Sequence, residues 1–209
     1  MKNKKTLKLD KILLASGFIG PTIFFITIYF LFPLFYPGYD FVNQTISELG
    51  AVGSPIKTPA NVFGFSLFGI FIMLFALGVF RSKEVNIIRK IASFFFFLTG
   101  ILMYLVGVFY SKSTYSLLAS LHKIAANYQF PILALGLVIF AFSVLSNERL
   151  QWLTPIILLL GITTLVLAYF FFFKYDLQNR GIWQRAAIGL PYLIMIIIAI
   201  GLYNAQGKK

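Results

Sequence analysis

ILLASGFIGPTIFFITIYFLFPLF, from Ile12 to Phe35, is the stretch that decides the fold. It contains no Asp, Glu, Lys, Arg or His, and it is longer than the roughly 18 to 20 residues a helix needs to cross a hydrocarbon core. The basic lead before it, MKNKKTLKLDK, resembles the start of a signal peptide. The apolar run is too long for a signal h-region and no A-x-A-like site follows, so it reads as an uncleaved first span.

Further apolar runs follow at about 61–80, 91–110, 127–145, 152–173 and 186–203. The chain is 59% hydrophobic and 11% charged, whereas a soluble domain carries about 25% charged residues. The expectation is an all-α fold: a polytopic bundle of six transmembrane helices in one integral membrane domain, 1–209, with membrane lipids as its partners. The net charge of +12 does not argue for nucleic acid, because the basic residues flank the apolar runs and the aromatic ones lie inside them. It argues for orientation. With the N-terminus inside, twelve of the eighteen Lys and Arg fall on that side: Lys2, Lys4, Lys5, Lys8, Lys11, Arg81, Lys83, Arg89, Lys90, Arg149, Lys208 and Lys209. Lys57, Lys112, Lys123, Lys174, Arg180 and Arg185 fall on the other. The positive-inside rule then puts both termini in the cytoplasm of a cell-membrane protein and the connection Tyr36 to Pro55 outside. On the inner rim the cations read as topology signals and contacts to anionic lipid.

There is no cysteine and a single histidine. Disulfides, thiolate chemistry and three-histidine zinc sites are therefore excluded; no metal and no cofactor is implied, and a site of one histidine and two carboxylates is the most that could be conceived. The interiors of the six runs hold no ionisable side chain, which argues against proton relays and ion-coupled carriers. Uncharged polar residues there, such as Ser66, Thr99, Ser143, Thr163 and Thr164, read as helix-to-helix hydrogen bonds. The prolines at 21, 33, 131, 155 and 191 read as tolerated kinks, and Ser16 with Gly20 as a small-residue packing pair.

Chemistry, if present, belongs at the outer rim. The first connection supplies Asp40, Asn43, Gln44, Ser47 and Glu48, the third supplies His122, and the fifth supplies Asp176, Arg180, Gln184 and Arg185. In a helix from Phe41 to Leu49, Asp40, Asn43, Gln44, Ser47 and Glu48 form one polar stripe, so a short amphipathic helix capped by Asp40 and stopped by Gly50 is expected. A later start is possible, since TISE has the form of a capping box with Thr45 and Glu48. The two acids call for cations, and Arg180 and Arg185 are the available ones; a carboxylate–guanidinium clamp between the first and fifth connections is the favoured arrangement. A ligand site in the same cluster is the alternative. His122 reads first as a hydrogen-bonded structural residue at a helix mouth, and Glu48 and His122 are the candidates for an acid or base.

Several short motifs carry a resemblance. ISELGAVGSP after the first span, Asn61 opening the second, GVF before a short connection, LHKIAA with His122 and GIWQR ending in Arg185 together resemble a family of six-helix prokaryotic membrane proteins, the domain of unknown function numbered nine-nine-eight. The similarity spans nearly the whole chain; the six-helix layout is more loosely similar to DRAM-like and FRAG-like membrane proteins. The resemblance implies an outer polar cluster of Ser47, Glu48, His122 and Arg185 and supplies no reaction. The third connection departs from the pattern, with GVFYSKSTYS where a proline and an acid are expected soon after Gly107. The functional expectation is a multi-pass membrane protein that binds a lipid headgroup or small polar ligand at its outer rim. The alternatives are a membrane enzyme acting on a lipid or isoprenoid phosphate, and a passive transporter or channel.

Overall fold

The computed structural model describes residues 4–82, 86–111, 116–145, 147–173 and 178–206. Asp176, Lys2, Lys83, Lys112, Lys174, Lys208 and Lys209, which enter the sequence reading, lie outside the described residues. All the regular structure among the described residues is helical. Six helices are long and apolar enough to cross a membrane: α1 (Lys5–Leu34), α2 (Lys57–Arg81), α3 (Ile87–Val108), α4 (Leu117–Ser143), α5 (Leu153–Phe171) and α6 (Arg180–Ala205). The expected runs are all present. The helices overrun them at several ends, α4 by ten residues toward its N-terminus, because a helix continues past the apolar boundary wherever neighbours satisfy its backbone.

Each helix packs against the next in sequence, and α6 returns to α1, so the six close into a ring. Aromatic side chains fill its interior. Phe24 of α1 stacks on Phe68 of α2 at 4.4 Å between ring centroids, and Tyr192 of α6 meets Phe68 edge-on at 4.6 Å. A second group, Phe75, Phe96 and Phe140, joins α2, α3 and α4 nearer the N-terminal end. Such pairs prefer offset and edge-to-face geometry.

Lipid offers no hydrophobic drive for helix association, so close packing has to supply it. The backbones of α2 and α3 approach closely: a Cβ on Gly100 would stand 2.8 Å from the Met73 nitrogen and 2.9 Å from the Gly69 carbonyl oxygen. On α1, Gly17 and Gly20 lie against the rings of Phe75 and Phe71. The hydroxyls behave differently from expectation. Thr99, Ser143, Thr163 and Thr164 donate to carbonyls three or four residues back in their own helices, an option always within reach of a mid-helix Ser or Thr. Ser66 does cross, to the Tyr104 carbonyl at 3.4 Å. Near the opposite end α1 widens into a π-helical segment, Phe25–Leu31, and Thr27 donates its hydroxyl to Ile23 O and Phe24 O just before it; such insertions into the ladder are a recognised cause of helix distortion.

At the N-terminal end, charged residues do more than mark orientation. Asp10 is fully buried and accepts from Arg81 Nε at 2.8 Å, tying α1 to the end of α2. Arg89 is 1% exposed; its guanidinium donates to Ser82 Oγ and to the Ser143 carbonyl and lies over the Phe140 ring. Asn86 caps α3 through the Arg89 N–H and also donates to Ser143 O. Two of the cations assigned to topology therefore hold helix ends together.

The glycine contacts make a contrast that can be measured. Gly100→Ala pushes a methyl group into two backbone atoms and should cost about 1–3 kcal/mol, seen as a lower melting temperature in detergent. Gly161→Ala meets only ordinary contacts at 3.6 Å and beyond and should be neutral or gain up to about 1 kcal/mol from helix propensity.

Candidate functional site

The first connection is built in two parts. From Asp40 to Gln44 it turns: Asp40 Oδ1 accepts from the N–H groups of Val42 and Asn43, and Oδ2 accepts from Asn43 Nδ2 at 2.7 Å. These bonds, chiefly those from Asn43, hold the exposed Asp40 carboxyl below its usual range. A 3-10 helix, Ile46–Gly50, then follows with Thr45 as its N-cap. Glu48 Oε2 accepts from the Thr45 N–H at 2.8 Å, and the Thr45 side chain meets the Glu48 backbone: the capping box of TISE. The expected helix from Phe41 is thus corrected. The later start prevails because the capping box satisfies two terminal groups at once, while Asp40 spends its carboxylate on its own turn.

This connection wraps the start of α6. The first helical N–H groups of α6 have no partners within their own helix, and here Gly181 and Ile182 both donate to Val42 O, at 2.9 and 3.3 Å. Gln184 Oε1 accepts from the Ile46 N–H at 2.7 Å, and Asn43 Oδ1 accepts from the N–H of Asn179. Asn179 takes φ 71°, a left-handed conformation Asn tolerates better than most residues. Gly181 has no room for a side chain: a Cβ there would run into Phe41 O and Gln44 O.

Arg185 is the centre of this contact. It is 4% exposed. Its Nη1 donates to Phe41 O, Gln44 O and Gly181 O at 2.9–3.0 Å, and Nη2 donates to the Tyr39 hydroxyl at 2.6 Å. The Phe41 ring lies 3.8 Å from the guanidinium carbon, and the Tyr29 and Tyr39 rings are about 6 Å away. Tyr29 in turn donates to the Arg185 carbonyl at 2.8 Å. Burial raises the Tyr39 phenol above its ordinary range, and the neighbouring guanidinium partly offsets that. The clamp between the first connection and the segment leading into α6 exists, but its chemistry differs from expectation. No carboxylate pairs with Arg185 among the described residues: Asp40 and Glu48 are engaged locally, and the short turn aims backbone carbonyls at the guanidinium.

Behind the clamp lies a cavity of about 310 Å³. Thr45 to Glu48 cover it; His122, Lys123 and Asn127 of α4 and Arg180 and Gln184 of α6 form its polar walls; Phe65, Met103, Val106, Phe130 and Ile188 form its base. At the bottom the Tyr192 hydroxyl reaches Gln129 Oε1 at 3.4 Å. The ring of His122 is 5% exposed. Its Nδ1 lies 2.7 Å from Phe109 O and 3.2 Å from Val106 O. Both are acceptors only, so the neutral ring must carry its proton on Nδ1, which leaves Nε2 as an acceptor.

Of the outer-rim residues singled out in the sequence, Ser47, Glu48, His122, Arg180 and Gln184 line this one cavity. Asp40, Asn43 and Arg185 do not; they build the turn and clamp that carry its cover. Tyr29 and Tyr39 escaped the sequence reading, since a tyrosine near a span end reads as one of the interfacial aromatics. No group of three or more His, Cys, Asp or Glu side chains suited to a metal occurs among the described residues. Residues 18–201 match the family described as Protein of unknown function (DUF998), and the chain belongs to that family. No curated protein and no solved structure matches it.

Removing the clamp has defined consequences. Arg185→Ala strands buried carbonyls and should cost about 1–3 kcal/mol, read as a lower melting temperature in detergent. Arg185→Lys should also lose stability, because an ammonium cannot present the planar fork. Melting unchanged in both variants contradicts the assignment.

Proposed function

We propose that this multi-pass membrane protein binds an amphiphile with a small anionic head in the cavity beneath the first connection, at the extracytoplasmic face. The observation that carries the reading is the composition of the cavity wall. Two cationic side chains, Lys123 and Arg180, face the same space as the imidazole of His122 and one acid, Glu48, above an apolar base. Arg and Lys suit phosphate or carboxylate, and the apolar base suits the first carbons of a chain. The cavity volume lies at the low end of ligand sites, which run from about 300 to 1,000 Å³, and fits a headgroup better than a whole lipid. The extracytoplasmic assignment rests on the excess of Lys and Arg at the other end.

One further reading has its own support. With its proton held at Nδ1, His122 is oriented as a base, and with Glu48 nearby it suits an enzyme acting on a lipid phosphate. A passive pore is disfavoured, because Phe24, Phe68 and Tyr192 fill the bundle directly below the cavity.

The test is a thermal melt of the purified chain in detergent with dihexanoyl phosphatidic acid or dihexanoyl phosphatidylcholine. Selective binding to the native state raises the melting temperature. The phosphatidic acid should do so, and the shift should fall by more than half in Arg180→Gln and in Lys123→Gln while their ligand-free melting stays near native. Equal shifts from the two lipids, or shifts indifferent to both substitutions, contradict the reading. Turnover of a lipid phosphate that disappears in His122→Ala would favour the enzyme.

A further inference from the structure

A second pocket lies at the opposite end of the bundle, between α1 and α6. It is a groove of about 800 Å³ lined by Lys5, Lys8 and Lys11 with Leu7, Ile12, Ala15 and Tyr203. Spacing by three residues sets the lysines on one side of α1, and a rise of 1.5 Å per residue spreads them over about 9 Å along it. The wall from α6 is preorganised: the Tyr203 ring is held edge-on by Phe18 at 6.0 Å, and the Lys11 ammonium sits 5.0 Å from its centroid. Asp10, the one acid among these lysines in the sequence, is fully buried and accepts from Arg81 Nε. The groove is therefore cationic at one end and apolar at the other, where Ile12 is 58% exposed.

We infer that this groove is a binding site for an anionic phospholipid whose headgroup carries two phosphates. The three ammonium groups take the phosphates, and an acyl chain runs along Ile12 and Ala15. Charge complementarity selects such a headgroup. Three lysines in a row exceed what one phosphate needs, and a zwitterionic headgroup would bring its own cation into the lysine row. The pocket is distinct from the cavity under the first connection and does not depend on what that cavity binds.

The experiment is native mass spectrometry of the full chain in detergent with equimolar tetraoleoyl cardiolipin, dioleoyl phosphatidylglycerol and dioleoyl phosphatidylcholine. Cardiolipin should be retained over phosphatidylcholine by roughly tenfold or more, with phosphatidylglycerol between them. Lys5 and Lys8 are exposed, so K5Q/K8Q should fold, and it should bring the preference to within about twofold, whereas K5R/K8R should keep it. Arg180→Gln, at the other end, should leave it unchanged. A native preference below about twofold, equal retention of cardiolipin and phosphatidylglycerol, or a preference that survives K5Q/K8Q overturns the inference.

Discussion

A buried guanidinium held by backbone carbonyls organises one end of this bundle. Arg185 is held by three backbone carbonyls, a tyrosine hydroxyl and the face of Phe41. Isolated charge in an apolar setting is costly unless hydrogen bonds and polarisable groups replace its water. Two of the carbonyls, Phe41 O and Gln44 O, come from the turn, so the cation and the turn stabilise one another. Gly181 permits the approach, since any side chain there would stand where the carbonyls are.

From that contact the remainder of the site follows. Fixing the turn onto α6 fixes Thr45, whose capping box with Glu48 starts the short helix, and Gln184 holds that helix by its first free N–H. The far end is held by Asn61, which donates to Gly50 O at 2.8 Å, and by the Val52 N–H, which donates to Ser111 O. A cover anchored at both ends then faces His122, Lys123 and Arg180. At the other end of the ring, Asp10 with Arg81 and Arg89 with Ser143 O close the helix ends by the same means, polar groups satisfied inside an apolar body.

The fold was legible because hydropathy over runs such as Ile12 to Phe35 is a strong signal and the lipid solvent permits few alternatives. The polar cluster at one end of the bundle was legible for a related reason: with the apolar runs free of charge, the acids, His122 and the arginines of the connections stood out. What differed was the partner of Arg185. Opposite charges on one side of a membrane suggest ion pairs, but Asp40 accepts from its own turn, Glu48 accepts from the Thr45 N–H, and the Arg185 guanidinium donates to backbone carbonyls. Local hydrogen bonds of this kind depend on a turn geometry that one-dimensional spacing does not specify. The same limit hid Asp10, which sits at the edge of an apolar run and turns inward, and the tyrosines of the Arg185 cage, which look like interfacial aromatics.

The central claim is that Arg185 latches the first connection onto α6. Hydrogen exchange of peptides covering residues 39–50 and 179–186, in the native chain and in Arg185→Lys, measures it most directly. The account predicts slow exchange at Ile46, Gly181 and Ile182 in the native chain, whose N–H groups bond across the contact, and markedly faster exchange of all three in the variant while α3 and α4 are unaffected. Equal protection in the two proteins would contradict it.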